Sequence, residues 1–482
     1  MFRFAISSGL TGARGIAYKQ GAMRTLRRAL LIAISFLCLV PLARPQDSHY
    51  WTYQYGSRAT LLGGAVIGSV LDLSGTYYNP GGLSLLEKPD ILMAAKVFQY
   101  PRVTLAGGDH QSVPLYAFSP GPAPSLLAGT FRIRGFRKHW FGYSYLSRQD
   151  VKLGVSVSET GRSDVLPGTP GNEDFATQFR LDEKVSEHWF GLTWSCRLSD
   201  HLGVGVTQYI AIRSHRASIQ ELVEALDGGT RLATALGARQ YHYLHYRALW
   251  KIGLACDFKK ITFGLTVTTP SLAIAGRGST GVNNSLAGLD TNGEGAPDDF
   301  LAADYQARLP VTYRTPLSVA AGMTLKIQKV RFYCSAEWFA RVKPYTVIDS
   351  EAFHAQSTGE VISTDVTQEL AAVLNWGAGL EWLYSSRFKG YASFTTDYSA
   401  KKTGTATNLS LTDWDIHHIV TGGEFKIKKS SVTVGVGFSF GGREIGERPD
   451  ILALGGSGGL WDPFGGLRFR YTTYKLIGGF AI

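Results

Sequence analysis

A chain of 482 residues, 44% hydrophobic and 12% aromatic, with 56 glycines, exceeds one ordinary compact domain and suits a large barrel. Its formal charge of +11 is concentrated at the start: residues 1–46 hold seven of the 49 basic residues and no acidic one, leaving 42 basic against 38 acidic, or +4. That near-balance removes the main support for nucleic-acid binding. The lack of any apolar run of about 20 residues beyond the leader excludes a helical membrane protein.

The first element is the leader. Arg24, Arg27 and Arg28 precede an apolar run from Ala29 to Ala43, too short to span a bilayer and right for the core of a signal peptide. Residues 1–46 are therefore read as a signal peptide, with Met23 a candidate true start and cleavage expected between Ala43 and Asp47. Residues 47–88 follow without alternation and are rich in small and aromatic side chains, notably Gly63-Gly64-Ala65 and Tyr77-Tyr78-Asn79-Pro80-Gly81-Gly82.

From about residue 89 to the end, apolar residues recur at every second position. In Ser431–Phe440, Val432, Val434, Val436, Phe438 and Phe440 fall on one side of an extended chain, and Thr433, Gly435, Gly437 and Ser439 on the other. The same rhythm runs through Ala248–Phe258, Ile261–Val267, Leu317–Leu325, Val330–Trp338 and Leu374–Trp382. A minor face of Gly, Thr and Ser is not the Lys- and Glu-rich exterior of a soluble sheet; it fits lipid outside and a lumen inside. Short polar turns fall near 134–139, 197–201, 257–260, 327–329, 385–387 and 428–430. Longer connections fall near 107–121, 159–173, 221–239, 271–311, 347–369, 401–411 and 442–466. Six short turns and seven long loops predict fourteen strands over residues 89–482. Cys196, Cys256 and Cys334 lie on the apolar parity, as small lipid-facing hydrophobes. A lumen of that size is wider than its own side chains fill, so a plug is physically reasonable.

The segment ending in Asn79, Pro80 and Gly81 resembles the N-terminal hatch of the FadL/TodX family of outer-membrane transporters for long-chain fatty acids and other hydrophobic compounds. In that family a Gly/Ala-rich segment ends in Asn-Pro-Ala; here Gly81 replaces the alanine. At the C-terminus Ile482 stands where the family usually has an aromatic, with Phe480 two residues earlier. The resemblance implies an all-β, transmembrane antiparallel β-barrel of about 14 strands, with residues 47–88 as a hatch in its lumen. It implies passive uptake of hydrophobic small molecules such as long-chain fatty acids, by a loop groove, hatch movement and a lateral or lumenal path. The implied partners are the hydrophobic ligand, outer-membrane lipid and lipopolysaccharide, and the barrel-assembly machinery. A monomer in the cell outer membrane is expected, with no nucleic acid and no required cofactor.

Four groups of residues are candidates for the path. In the third strand, Phe141, Tyr143, Tyr145, Val151, Leu153, Val155 and Val157 share a parity with Ser147 and Gln149. Polar groups facing lipid are unfavourable. Ser147, Arg148, Gln149 and Asp150 are thus either the inward kink that opens a lateral gap in the family or residues above the bilayer. Ile219, Leu222, Val223 and Leu226 follow a short amphipathic-helix pattern and are expected to form a greasy ligand groove, or else ordinary loop packing. Arg331, Tyr333 and Glu337, with Lys251 and Lys326, are lumen contacts for a carboxylate or part of a solvated wall. Asp290, Asn292, Glu294 and Asp298 have calcium-loop spacing, but Leu301 stands where the closing Glu belongs; the alternative is an acidic surface loop. His242 and His245, or His417 and His418, lack a nucleophile motif, so no enzyme is expected. The rival readings are a general diffusion porin and a structural or adhesive outer-membrane barrel.

Overall fold

The computed structural model describes residues 49–69, 72–86, 91–106, 113–116, 123–163 apart from 134 and 137, 171–227, 231–288, 299–401, 414–427, 430–444 and 468–481. The leader and its cleavage region therefore lie outside the described residues.

Strands dominate. In chain order they are β1 (Ile91–Ala106), β2 (Val113–Tyr116), β3 (Ala123–Phe131), β4 (His139–Ser163), β5 (Glu173–Ser199), β6 (Leu202–Asp227) and β7 (Arg231–Phe258). Then come β8 (Ile261–Thr268), β9 (Leu272–Ala287), β10 (Phe300–Pro310), β11 (Ser318–Ile327), β12 (Val330–Phe339), β13 (Val342–Ile348) and β14 (Phe353–His354). The last seven are β15 (Val361–Ile362), β16 (Val366–Leu370), β17 (Val373–Leu383), β18 (Phe388–Asp397), β19 (Ile416–Ile427), β20 (Ser430–Glu444) and β21 (Arg468–Ala481).

The wall closes on itself. Going round it, the antiparallel neighbours are β1, β3, β4, β5, β6, β7, β8, β11, β12, β17, β18, β19, β20 and β21, and β21 pairs back onto β1 from Leu92↔Ala481 to Ala106↔Arg468. That circuit is the fourteen strands the alternation predicts. Closure removes the sheet edges that an open sheet of this size would expose. Each of the six short turns joins wall strands at one end.

Parity sorts the side chains as expected. Phe190, Leu192 and Trp194 of β5, Ile252, Leu254 and Phe258 of β7, and Val434 and Val436 of β20 are exposed on the outside. Thr193, Ser195, Thr207, Thr433 and Ser439 are buried inside. On β5 this exterior turns polar above His188, where Gln178, Arg180, Asp182 and Lys184 are exposed. Strands β4 to β7 run 25, 27, 26 and 28 residues, far beyond the roughly 9–11 that cross a bilayer.

Those long strands overturn one expectation. The 221–239 connection is the end of the β6–β7 hairpin, in register from Leu202↔Cys256 to Asp227↔Arg231. Ile219, Leu222, Val223 and Leu226 are all in β6 and form no helix. In a strand Ile219 and Val223 share the lumen-side parity, whereas Leu222 and Leu226 lie on the other. The i, i+3, i+4, i+7 pattern was too short to compete with continuous cross-strand pairing. Similarly, 271–311 is largely the paired hairpin β9–β10, not a loop.

Candidate functional site: the lumen plug and the break in β4

Residues 49–69 and 72–86 lie inside the barrel wall. A short helix, Ser57–Leu61, leads to a helical turn at Gly75–Tyr78 and a 3-10 turn at Pro80–Leu85. Tyr55, Leu61, Leu62, Ile67, Tyr77 and Leu83 form one buried cluster with Leu126, Trp189, Tyr209, Leu249, Ala320, Tyr391, Val420 and Ile477 of the wall. These wall residues come from strands all round the barrel, so the segment lies across the lumen rather than against one side.

Asn79-Pro80-Gly81 is a fastening point. Asn79 has an extended backbone (φ −156°) and caps the 3-10 turn, its Oδ1 accepting from Gly81 N–H at 3.1 Å. Its Nδ2 donates to the carbonyls of Ile67 at 3.0 Å and Leu254 at 2.9 Å, tying the plug to itself and to β7. Pro80 occupies the first position of the turn, where a missing N–H costs nothing. Gly81 lies so close to the wall that a Cβ would come within 2.6 Å of the Gly203 carbonyl oxygen and 2.7 Å of that of Gly253. This accounts for glycine where the family has alanine: here the wall leaves no room for the methyl group. Asn79→Ala removes three hydrogen bonds, two of them buried, and strands two carbonyls, so it should loosen the plug by roughly 1–3 kcal/mol. The expected result is faster proteolytic cutting within residues 49–86 while the barrel stays intact.

Polar groups of the wall also bind the plug's backbone. Thr207 Oγ1 and Tyr209 OH donate to the Thr76 carbonyl at 2.8 and 2.7 Å, Thr395 Oγ1 to that of Gly63 at 3.0 Å and Arg197 Nε to that of Ser84 at 2.9 Å. Asp397 accepts from Trp51 N–H at 2.9 Å and from Thr52 Oγ1 at 2.5 Å. Near the short-turn end Arg58 bridges Glu381 and Glu424, each at 3.3 Å.

The proposed kink residues lie at an irregularity. Between β4 and β5 the register passes from Ser147↔His188 to Gln149↔Glu187, leaving Arg148 as the extra residue of a β-bulge. One inserted residue reverses parity. Below it, Ser144 and Leu146 face the lumen and Tyr143 the outside. Above it, Gln149 Oε1 accepts from Arg213 inside the lumen, and positions 151, 153 and 155 lie opposite Val185, Glu183 and Leu181, on the lumen side of β5. The expectation that Gln149 shares the outer face with Ser147 is therefore corrected: the outward residues above the bulge are Lys152, Gly154 and Ser156. Asp150 supplies a carbonyl to Tyr53 OH at 2.8 Å. The ladder between β3 and β4 ends at Leu126↔Leu146, and above it the β3-side edge of β4 has no ladder partner among the described residues.

Arg148 itself turns inward and is buried. It donates to Tyr55 OH at 3.2 Å and the Tyr50 carbonyl at 2.9 Å, and lies 5.9, 5.6 and 5.4 Å from the rings of Tyr55, Tyr77 and Trp189. Beside it is a group that sequence reasoning missed. Glu187 is shared by Arg213, at 2.9 Å, and Arg247, and also accepts from Trp189 Nε1. Both guanidiniums sit over the Tyr313 ring, at 4.3 and 4.9 Å.

Arg331, Tyr333 and Glu337 do face the lumen side of β12, but not as a group. Arg331 pairs with Glu381 at 3.5 Å, and Tyr333 donates to the same carboxylate. Glu337 accepts from Trp51 Nε1 at 2.8 Å and Ser318 Oγ at 2.6 Å, with Lys251 3.8 Å away. Glu337 thus holds the plug. Lys326 pairs with Asp257 at 3.0 Å beside two short turns. Asp290, Asn292, Glu294 and Asp298 lie outside the described residues.

No protein-family model matches the sequence, and no curated protein matches it. Solved structures do match. The fold is similar to that of a Pseudomonas aeruginosa FadL homologue (TM-score 0.54, 12% identity, 90% of this chain and 99% of that one). It is similar to the Pseudomonas putida toluene transporter TodX (TM-score 0.53, 13% identity, 90% and 99%) and to the monoaromatic hydrocarbon channel CymD (TM-score 0.52, 10% identity, 89% and 97%). Identity this low carries the fold and no more, yet the match runs the length of both chains. With a fourteen-strand wall, a plug fastened at Asn79 and a bulge in the third wall strand, the chain is FadL/TodX-like in fold.

Proposed function

We propose that this barrel is a passive outer-membrane channel for hydrophobic small molecules, with long-chain fatty acids and small aromatic hydrocarbons as the candidate cargo classes. The observation that carries this reading is the coincidence of two features: a lumen crossed by the plug residues 49–69 and 72–86, and a wall whose ladder on one side of β4 ends at Leu146, two residues before Arg148. A blocked axis with a discontinuous wall suits cargo that moves between lumen and lipid. The apolar exterior below His188 suits a bilayer, and the polar exterior of β5 above it suits water and lipopolysaccharide headgroups. Folding in that membrane would use the barrel-assembly machinery. The resemblance of the fold to transporters and channels supports transport over catalysis.

A general diffusion porin is the reading to separate from this one. Proteoliposomes carrying the purified protein should swell slowly in small sugars, close to the rate of protein-free vesicles. Rapid swelling would identify an open pore and overturn the proposal.

A further inference from the structure

The outer face of the long strands carries a row of basic side chains that only the register brings together. Lys152 of β4 lies opposite Lys184 of β5, Lys184 opposite Arg216 of β6, and Arg216 opposite His242 of β7. All four stand on the outward parity; Lys152, Lys184 and Arg216 are exposed and His242 is half-buried. Neighbouring strands lie about 4.8 Å apart, so the row crosses four strands in roughly 15 Å. Like charges directly opposite one another weaken a sheet. Lys152, Lys184 and Arg216 have no ion-pair partner among the described residues to offset this.

The surroundings add to the positive charge. Arg180 on β5 and Arg277 on β9 are also outward and exposed, Arg277 opposite Leu244. The nearby carboxylates on this face are Asp182, held by Arg180 at 2.7 Å, and Asp150, two residues before Lys152. Glu173, Glu183, Glu187 and Glu221 are buried on the lumen parity of β5 and β6, behind the wall.

The height of the row is equally informative. His188, Ile212 and Tyr246 form a second row in register at the top of the apolar exterior. Tyr145 stacks on His188 with centroids 5.8 Å apart, which gives this rim the aromatic character of a membrane interface. The basic row lies four residues further along each strand, about 10 Å higher for strands tilted by roughly 40°. Lysine and arginine side chains there reach the headgroup layer.

We propose that Lys152, Lys184, Arg216 and His242 form a docking surface for the phosphates of a lipopolysaccharide, whose acyl chains lie against the apolar exterior below. A row of cations takes a headgroup with several phosphates, and Phe190, Leu244 and Tyr246, all exposed on the same face, take the chains. A free phosphate would use the first feature and not the second. The proposal goes beyond hydrophobic uptake and rests on that reading only for the outer-membrane setting.

The test is binding to the full-length purified barrel in detergent of three probes: a deep-rough lipopolysaccharide, the same lipid after enzymatic removal of its phosphates, and inorganic pyrophosphate. The phosphorylated lipid should bind about tenfold or more tighter than the dephosphorylated one, and high salt should remove most of the difference. The triple variant Lys152→Gln, Lys184→Gln, Arg216→Gln should lose that preference. Arg216→Gln alone should weaken binding about fivefold, and as a single exposed change it keeps the ladder intact. A control triple at the short-turn end, Lys259→Gln, Lys260→Gln, Lys426→Gln, should bind like the unaltered protein. Equal binding of the two lipids by the unaltered protein would overturn the docking surface, and so would a preference that survives the triple variant. Pyrophosphate binding as tight as that of the phosphorylated lipid would make this a free-anion site and overturn the lipid assignment. Each of these failures leaves hydrophobic uptake standing, since no probe enters the lumen.

Discussion

Deleting Arg148 should abolish uptake of a neutral hydrophobic probe while leaving a folded barrel. The deletion removes the one extra residue of the bulge and lets β4 continue against β5 in a single register, from His139↔Cys196 upward. Parity above the site would then revert, turning Gln149 away from Arg213 and Lys152, Gly154 and Ser156 towards the lumen. A regular β4 can also extend its pairing on the β3 side, where the ladder now ends at Leu126↔Leu146. Arg148→Met is the companion variant. It keeps the chain length, and so the bulge, but removes the guanidinium that binds Tyr55 and Tyr50. It should keep most uptake of a neutral probe. Heat-modifiable migration on gels, characteristic of intact barrels, checks folding in both. Full uptake by the deletion variant would exclude a lateral path at this point.

The second large effect is expected where plug and wall touch. Gly264 of β8 has no room for a side chain: a Cβ there would sit 1.9 Å from the Ile67 carbonyl oxygen and 2.6 Å from Asn79 Nδ2. Gly322, its register partner on β11, is also tight: a Cβ there would lie 2.6 Å from the backbone nitrogen of Gly68. Gly264→Leu should therefore displace the plug, since the strain falls on a segment held by scattered hydrogen bonds rather than on a wall held by continuous ladders. Overpacking of this kind costs about 1–3 kcal/mol in an ordinary core. The expected result in planar bilayers is a steady ionic current from Gly264→Leu and very little from the unaltered protein. Gly437→Ala is the control, because its Cβ would meet nothing nearer than 3.5 Å.

Much of this architecture was legible in the sequence because the strand period is short and insistent. Six short polar turns and seven longer connections, with apolar parity between them, predicted the fourteen strands. The motif Asn79-Pro80-Gly81 marked the plug, and Ser147 and Gln149 marked the irregularity in β4. The bulge was found for a partly wrong reason. Two polar residues on an apolar parity looked like a lapse in the outer face, whereas one inserted residue had moved Gln149 inside. Parity cannot be followed across an insertion without knowing the register.

The buried arginine cluster was not legible for the same reason. Glu187, Arg213, His245 and Arg247 lie on three strands and meet only because Glu187 pairs with Arg213, and Arg213 with His245. Each charge did stand on the inward parity of its strand, at Val185-Ser186-Glu187 and Ala211-Ile212-Arg213, and that was the available signal. The glycines that admit the plug were hidden too. Gly205 faces Gly253 and Gly264 faces Gly322 only in the folded sheet. The misread helix at Ile219–Leu226 shows the converse: local periodicity over eight residues yielded to pairing along the whole of β6.

The proposed function is passage of hydrophobic molecules across an outer membrane without an energy source. The most direct measurement is accumulation of a labelled hydrophobic probe by lipopolysaccharide-bearing cells that lack their own channel for such compounds, with and without this protein, after energy depletion. Uptake through the protein should be faster than the background and saturable, and should persist when the cells are de-energised. Uptake no faster than in cells without the protein would rule out such passage.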